Sequence, residues 1–163
     1  AGAWRYKIGD TIRFTDLHNS EIIITGRTKQ FLSLCGEHLS VDNMNQAILE
    51  VEKLLNISIK EYAVVPVKTD HHFAHHWYVG CDEMANPEII QKILDETLAV
   101  LNDDFKVERS AMLRPPIVHA VPTNYFYDWQ RSSGKLNGQS KIPRVMRGKQ
   151  AEDWKLYLKQ QKS

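Results

Sequence analysis

Two capped helical segments, set between short apolar runs, constrain this chain more than any other feature. The first starts after Ser40, whose hydroxyl can accept from the free amides of a first helical turn. Apolar residues then recur at Val41, Met44, Ala47/Ile48, Val51 and Leu54/Leu55, a helical period with one buried face. The second opens at Asn86-Pro87, with Asn as N-cap and Pro at the first helical position, and shows Ile89/Ile90, Ile93/Leu94, Thr97/Leu98 and Leu101 on its apolar face. Strand patterns surround both. Thr11–Thr15 and Glu21–Thr25 read as a hairpin, Phe31–Cys35 as a short segment ended by Gly36, Tyr62–Val67 and His76–Cys81 as strands, and 115–122 as a strand bounded by prolines. A short aromatic helix from Asn124 to about Arg131, a Gly-rich loop and a basic helix from about Ala151 close the chain. After the hairpin the order is β-α-β-β-α-β, the ferredoxin-like split motif, so the expected class is α+β with C-terminal helices.

The 163 residues suit one domain, or one domain and a fragment, and 42% apolar with 25% charged residues is ordinary for a globular protein. No apolar run is long enough to span a bilayer, and residues 1–10 show no signal-peptide pattern. Cys35 and Cys81 read as separate reduced thiols, which favours a cytoplasmic setting. The net charge of +1 hides an asymmetry: residues 131–163 hold nine Lys or Arg against two acids, and the rest holds 12 against 18. A basic end suits phosphates, on a nucleotide or a nucleic acid, and equally suits a solvated tail. The chain starts without Met, and its first residues read as the middle of a structural unit, as in an excised fragment.

Three motifs stand out beyond the pattern. Tyr6-Lys7-Ile8-Gly9-Asp10-Thr11-Ile12 opens the hairpin, Gly26-Arg27-Thr28-Lys29-Gln30-Phe31-Leu32-Ser33-Leu34 closes it, and Ser140-Lys141-Ile142-Pro143-Arg144 lies near the end. Together with Phe126-Tyr127-Asp128-Trp129 and the Gly134-Lys135 and Gly138-Gln139 pairs, they resemble the C-terminal region of the Gretchen Hagen family. These are the auxin-responsive acyl acid–amido synthetases, here resembling their bacterial branch, within the adenylate-forming (acyl-CoA synthetase and luciferase) superfamily.

The resemblance implies a ligase that activates a carboxylic acid with Mg-ATP to an acyl-adenylate, then forms an amide with an amine or amino acid. It implies that residues 1–28 are the hinge-proximal hairpin, the tail of a missing N-terminal adenylation domain, and that 29–163 are the cap that closes over the nucleotide. That adenylation domain, on the same polypeptide, is then the expected partner, with the carboxylic acid and the amine as substrates and neither membrane nor nucleic acid. ATP and Mg would be bound mainly by the missing domain. Asp10 would hold the ribose hydroxyls, with Tyr6 and Arg27 beside it, since a carboxylate accepts two hydroxyls at once and a guanidinium adds a directed cation. Thr28 and Lys29 would mark the hinge. Lys141 would be the catalytic cap lysine that reaches the phosphates on closure. The isolated chain is expected to be inactive. Positions 35–38, Cys-Gly-Glu-His, depart from the acid-rich stretch of plant members, and the acid, and whether the acceptor is an amine or a thiol, stay open.

Two further features compete for attention. His71, His72, His75 and His76 lie within six residues, but the segment runs into a strand pattern, and in extended chain i and i+4 stand roughly 13 Å apart, too far for one ion. A polar loop is the expected reading, and no metal is expected. Tyr125, Phe126, Tyr127 and Trp129 could stack on nucleic-acid bases, or pack as a helix on the sheet. The alternative to the ligase fragment is a stand-alone ferredoxin-like module that holds a ligand or RNA, or regulates.

Overall fold

Tyr62, Ala63, Val64 and Val65 follow one another without a polar interruption, and all four are buried. Strand side chains alternate between faces, so such a run needs both faces of its sheet covered. The structure, a computed structural model, describes residues 10–27, 31–69, 72–83, 85–133 and 141–161. It covers both faces as the run requires. Strand β5 (Ile59–Lys68) pairs antiparallel with β6 (Phe73–Cys81), and β6 pairs parallel with β7 (Ile117–Val121), giving a three-stranded sheet in the order β5-β6-β7.

Three helices cover one face: α1 (Val41–Leu55), α2 (Pro87–Leu101) and α3 (Asp103–Ala111). Met44, Val51, Leu94, Leu98 and Phe105 meet Tyr62, Val64, Trp77 and Val79 there. Helices α4 (Asn124–Ser132) and α5 (Lys149–Gln160) cover the other, where Phe126, Trp129 and Trp154 meet Ala63, Val65 and Tyr78. Trp154 is fully buried and stacks on Phe126 at 4.7 Å between ring centroids. Gly80 makes that packing possible. A Cβ there would stand 3.0 Å from the Glu61 carbonyl and 3.1 Å from the Phe126 ring.

The remaining strands lie outside this sheet. β1 (Asp10–Asp16) and β2 (Glu21–Arg27) form an antiparallel hairpin, and β3 (Phe31–Leu32) pairs with β4 (Leu39–Ser40) as a two-residue ladder. The class is α+β and the order β-α-β-β-α-β is present, with the short β3–β4 ladder supplying the opening β unit. Among the described residues no helix is long and apolar enough to cross a membrane.

Local chemistry explains the helix starts. Ser40 and Asn43 bond each other's backbone N–H at 3.0 and 3.1 Å, a reciprocal cap. Asn86 accepts from Glu88 N at 2.9 Å, with Pro87 at the first helical position as the sequence predicts. Helix α3 is an addition to the sequence reading. Asn102 caps it through Phe105 N at 2.7 Å, and Asp103 and Asp104 favour its positive end. It buries only Phe105, so it carries no long apolar period to find.

Candidate functional site

The segment Lys141-Ile142-Pro143-Arg144 is held at the open edge of β5. Val64 N donates to the Arg144 carbonyl at 2.8 Å, and Met146 N donates to the Val64 carbonyl at 2.9 Å, a parallel bridge. Ile142 and Met146 are buried against the α4–α5 face. The Arg144 guanidinium donates to Glu61 Oε2 at 2.7 Å and to the Tyr62 carbonyl at 3.0 Å, and lies over the Tyr62 ring at 4.4 Å. Tyr62 in turn donates to Asn45 Oδ1 at 2.6 Å, and burial raises its phenol above the usual range. A strand edge, a buried isoleucine and a stacked arginine therefore fix the backbone that follows Lys141.

Lys141 itself is exposed and lines a cavity of about 650 Å³ with Glu61, Tyr127, Gln130 and Arg144. Arg144 is committed to Glu61, the only acid among the described lining residues, and no described acid pairs with Lys141. The surplus charge is positive, so the cavity suits an anion. A smaller cavity of about 180 Å³ adjoins it through Val41, Pro143 and Arg144, and adds Phe31, Arg147 and Gln150. Arg147 donates to the Phe31 carbonyl at 2.9 Å, which ties β3 to this segment. A phosphate oxygen fits the Lys141 ammonium. For a magnesium ion the described residues hold no group of three His, Cys, Asp or Glu.

The other expected site residues divide by position. Tyr6, Thr28 and Lys29 lie outside the described residues. Asp10 and Arg27 are register partners at the open end of the hairpin, so the backbone sets them opposite each other across the two strands. Lys141 belongs to a different part of the molecule, the edge of β5. Glu61 escaped sequence reasoning, and Tyr127 was read only as part of the aromatic helix. Glu61 is 83 residues from Arg144 and carries no local signal, while Arg144 is legible only as part of the motif.

The histidines divide in another way. The polar-loop reading needs correction, because β6 begins at Phe73 and takes in His75 and His76. Consecutive strand residues point to opposite faces. His75 is buried beside Phe105 and lies 2.8 Å from Glu37 Oε1, while His76 meets His119 at 3.0 Å. Among the described residues, no three metal-ligating groups converge. The aromatic helix packs on the sheet through Phe126 and Trp129, and Tyr127 stays exposed.

The profile of the GH3 family C-terminal domain matches residues 42–150. Two solved structures resemble the fold across almost the whole chain. One is described as GH3.15 acyl acid amido synthetase, with 18% identity and a TM-score of 0.79, over 98% of this chain and 30% of that one. The other is described as AtGH3.15 acyl acid amido synthetase in complex with 2,4-DB, with 20% identity and a TM-score of 0.72, over 97% and 30%. The chain thus spans 30% of the length of these relatives. No curated protein sequence matches it.

Proposed function

The chain belongs to the GH3 family, of which it carries the C-terminal domain, and we propose that it is the cap of an ATP-dependent acyl acid–amido synthetase. Lys141 carries this reading: an ammonium that no described acid pairs, beside a backbone fixed from Ile142 onward, lining an anion-suited cavity three residues from an anchored arginine. In the proposed reaction a substrate carboxylate oxygen attacks the α-phosphorus of ATP. The bond to the bridging oxygen breaks, and pyrophosphate leaves with the electron pair. An amine nitrogen then attacks the acyl carbon, AMP leaves through its phosphate oxygen, and the amine loses a proton. Lys141 would meet negative charge on the phosphates as the cap closes, where water exclusion strengthens the attraction. Asp10 and Arg27 would serve the ribose from the hairpin side, with Tyr6 beside them and Thr28 and Lys29 at the hinge. Magnesium, held mainly by the other domain, would neutralise phosphate charge.

The hairpin supports a partner domain. Ile12 faces Ile24 and Phe14 faces Ile22 in register, so these four side chains share one face. They are 49, 67, 52 and 49% exposed respectively. A two-stranded ribbon does not stand alone in water, and a contiguous apolar face of this kind marks a contact surface. In this proposal residues 1–28 close an N-terminal adenylation domain, 29–163 form the cap, and the apolar ribbon face packs on the former. Cys35 and Cys81 are both free thiols, which accords with a reducing, cytoplasmic setting.

The test is ATP–pyrophosphate exchange by the full-length polypeptide with a panel of carboxylic acids, comparing wild type with Lys141→Ala. Acid-dependent exchange that falls by about 10²-fold or more in the variant supports the assignment. Exchange that survives the substitution removes Lys141 from the first half-reaction. If no acid supports exchange, the ligase reading fails and the chain is better read as a binding module.

A further inference from the structure

A second cavity, of about 410 Å³, lies along β7 and α5, apart from Lys141 and its neighbours. Its volume is in the range of small-molecule sites. Val118, Val121 and Leu158 give it apolar walls, and His119, Lys155 and Lys159 give it polar groups. No Asp or Glu is among its described lining residues.

The polar groups are held in place. The His119 ring stacks on Tyr78 at 4.8 Å, and its Nε2 lies 3.0 Å from His76 Nδ1. Lys155 is half-buried on α5, and no described acid pairs with it. The two imidazole nitrogens are close enough to suggest a cation, but the Lys155 ammonium beside them, with no acid among the described lining residues, makes a cation site unfavourable. A half-buried ammonium that no described acid pairs instead favours an anion. The apolar walls select among anions, because an inorganic phosphate would lose hydration against them without replacement.

We propose that this cavity is a binding site for a small organic carboxylate, with its apolar body against Val118, Val121 and Leu158 and its carboxylate toward Lys155 and His119. The site is separate from the proposed nucleotide-closing surface and stands whether or not the ligase reading does.

The test uses the 163-residue chain, observed by amide-resolved NMR, and three probes: 4-phenylbutanoate, its neutral amide 4-phenylbutanamide, and inorganic phosphate. The carboxylate should shift the amides of Val118, Val121, Lys155 and Leu158 and saturate with a Kd below about 1 mM. The neutral amide and inorganic phosphate should each bind at least about tenfold more weakly. Lys155→Gln should cost about tenfold and Lys155→Glu more, with unchanged spectra away from α5 showing that both variants fold. Equal binding of the amide and the carboxylate, full retention in Lys155→Glu, shifts confined to another surface, or none at about 10 mM would each overturn the proposal.

Discussion

Glu37 Oε1 lies 2.8 Å from His75 Nε2, and both side chains are closed off from solvent. The same carboxylate accepts from the backbone N–H groups of Leu34, Cys35 and Gly36 at 2.8 to 3.2 Å. One side chain therefore closes the turn between β3 and β4 and pins it to the middle of the sheet. Removing it would leave three backbone donors and an imidazole without their acceptor. Glu37→Ala should destabilise the chain by about 3 kcal/mol in urea unfolding. A loss under about 0.5 kcal/mol would show that water replaces the carboxylate there.

The pair also sets an acid limit. Burial alone would raise the Glu37 carboxyl, but hydrogen bonds from His75 and the Cys35 and Leu34 amides outweigh it and hold the pKa at about 2, against 4.5 ordinarily. A depressed carboxyl stabilises the fold above its unfolded pKa and loses that contribution as pH falls through its folded one. Unfolding free energy should therefore drop between about pH 4.5 and 2, and Glu37→Gln should flatten that part of the profile.

A second window lies higher. Burial first, then His119 and Lys155, lower the His76 pKa from 6.5 to about 4. Folding thus disfavours the protonated form, and the native state loses stability as pH falls from about 6.5 toward 4. His76→Phe should remove this slope while leaving the lower one, and an NMR titration of His76 near 6.5 would contradict it.

Arg144 anchors the lysine-bearing segment through geometry that lysine lacks. Arg144→Ala should cost about 2 kcal/mol, from the lost Glu61 pair and the stacking on Tyr62. Arg144→Lys should restore less than half of it, since an ammonium cannot bridge Glu61 and the Tyr62 carbonyl while lying flat on the ring. Urea unfolding of the three proteins decides this, and full recovery with lysine would reduce Arg144 to a point charge.

The exposed hairpin face separates the 163-residue chain from the proposed two-domain polypeptide. Ile12→Thr with Ile24→Thr should change the stability of the 163-residue chain by less than about 0.5 kcal/mol per site. In the proposed two-domain polypeptide the same pair should cost about 1 kcal/mol or more per site, because the proposed packing buries the surface. Equal effects in both would mean that no domain packs on the ribbon.

The 163-residue chain should support no ATP–pyrophosphate exchange with any acid, and calorimetry should find AMP bound weakly. It holds one wall of the proposed nucleotide site. Turnover by the isolated chain would overturn the division between cap and adenylation domain.

Helix starts were legible because their signals are local. Ser40 and Asn43 cap α1 across three residues, and Asn86-Pro87 opens α2 through bonds to its own first turn. The hairpin was legible for the same reason, its strands meeting across a short loop. Helix α3 was not, because its cap was present while the apolar period was too short to announce a buried face. The histidine segment misled because neighbouring polar residues suggest a loop. In the sheet, His75 and His76 find partners 38 and 43 residues away, on opposite faces.

For the site, the motifs pointed to Asp10, Arg27 and Lys141 as residue types. Hairpin register set Asp10 opposite Arg27, and the edge of β5 set Arg144 against Glu61. By itself, then, the sequence determined the order of the main elements, the starts of α1 and α2, the uninterrupted apolar run of β5 that demands two covered faces, and the family pattern. Those follow from hydrogen bonds and side-chain periods that span a few residues. Only the tertiary structure decided that Glu37 lies against His75, that Glu61 neutralises Arg144 and leaves no described acid on Lys141, and that His119 stacks beside a cationic cavity. Each depends on which strands pair, in which register, and on which face a side chain falls, and a shift of one residue would reverse all of them.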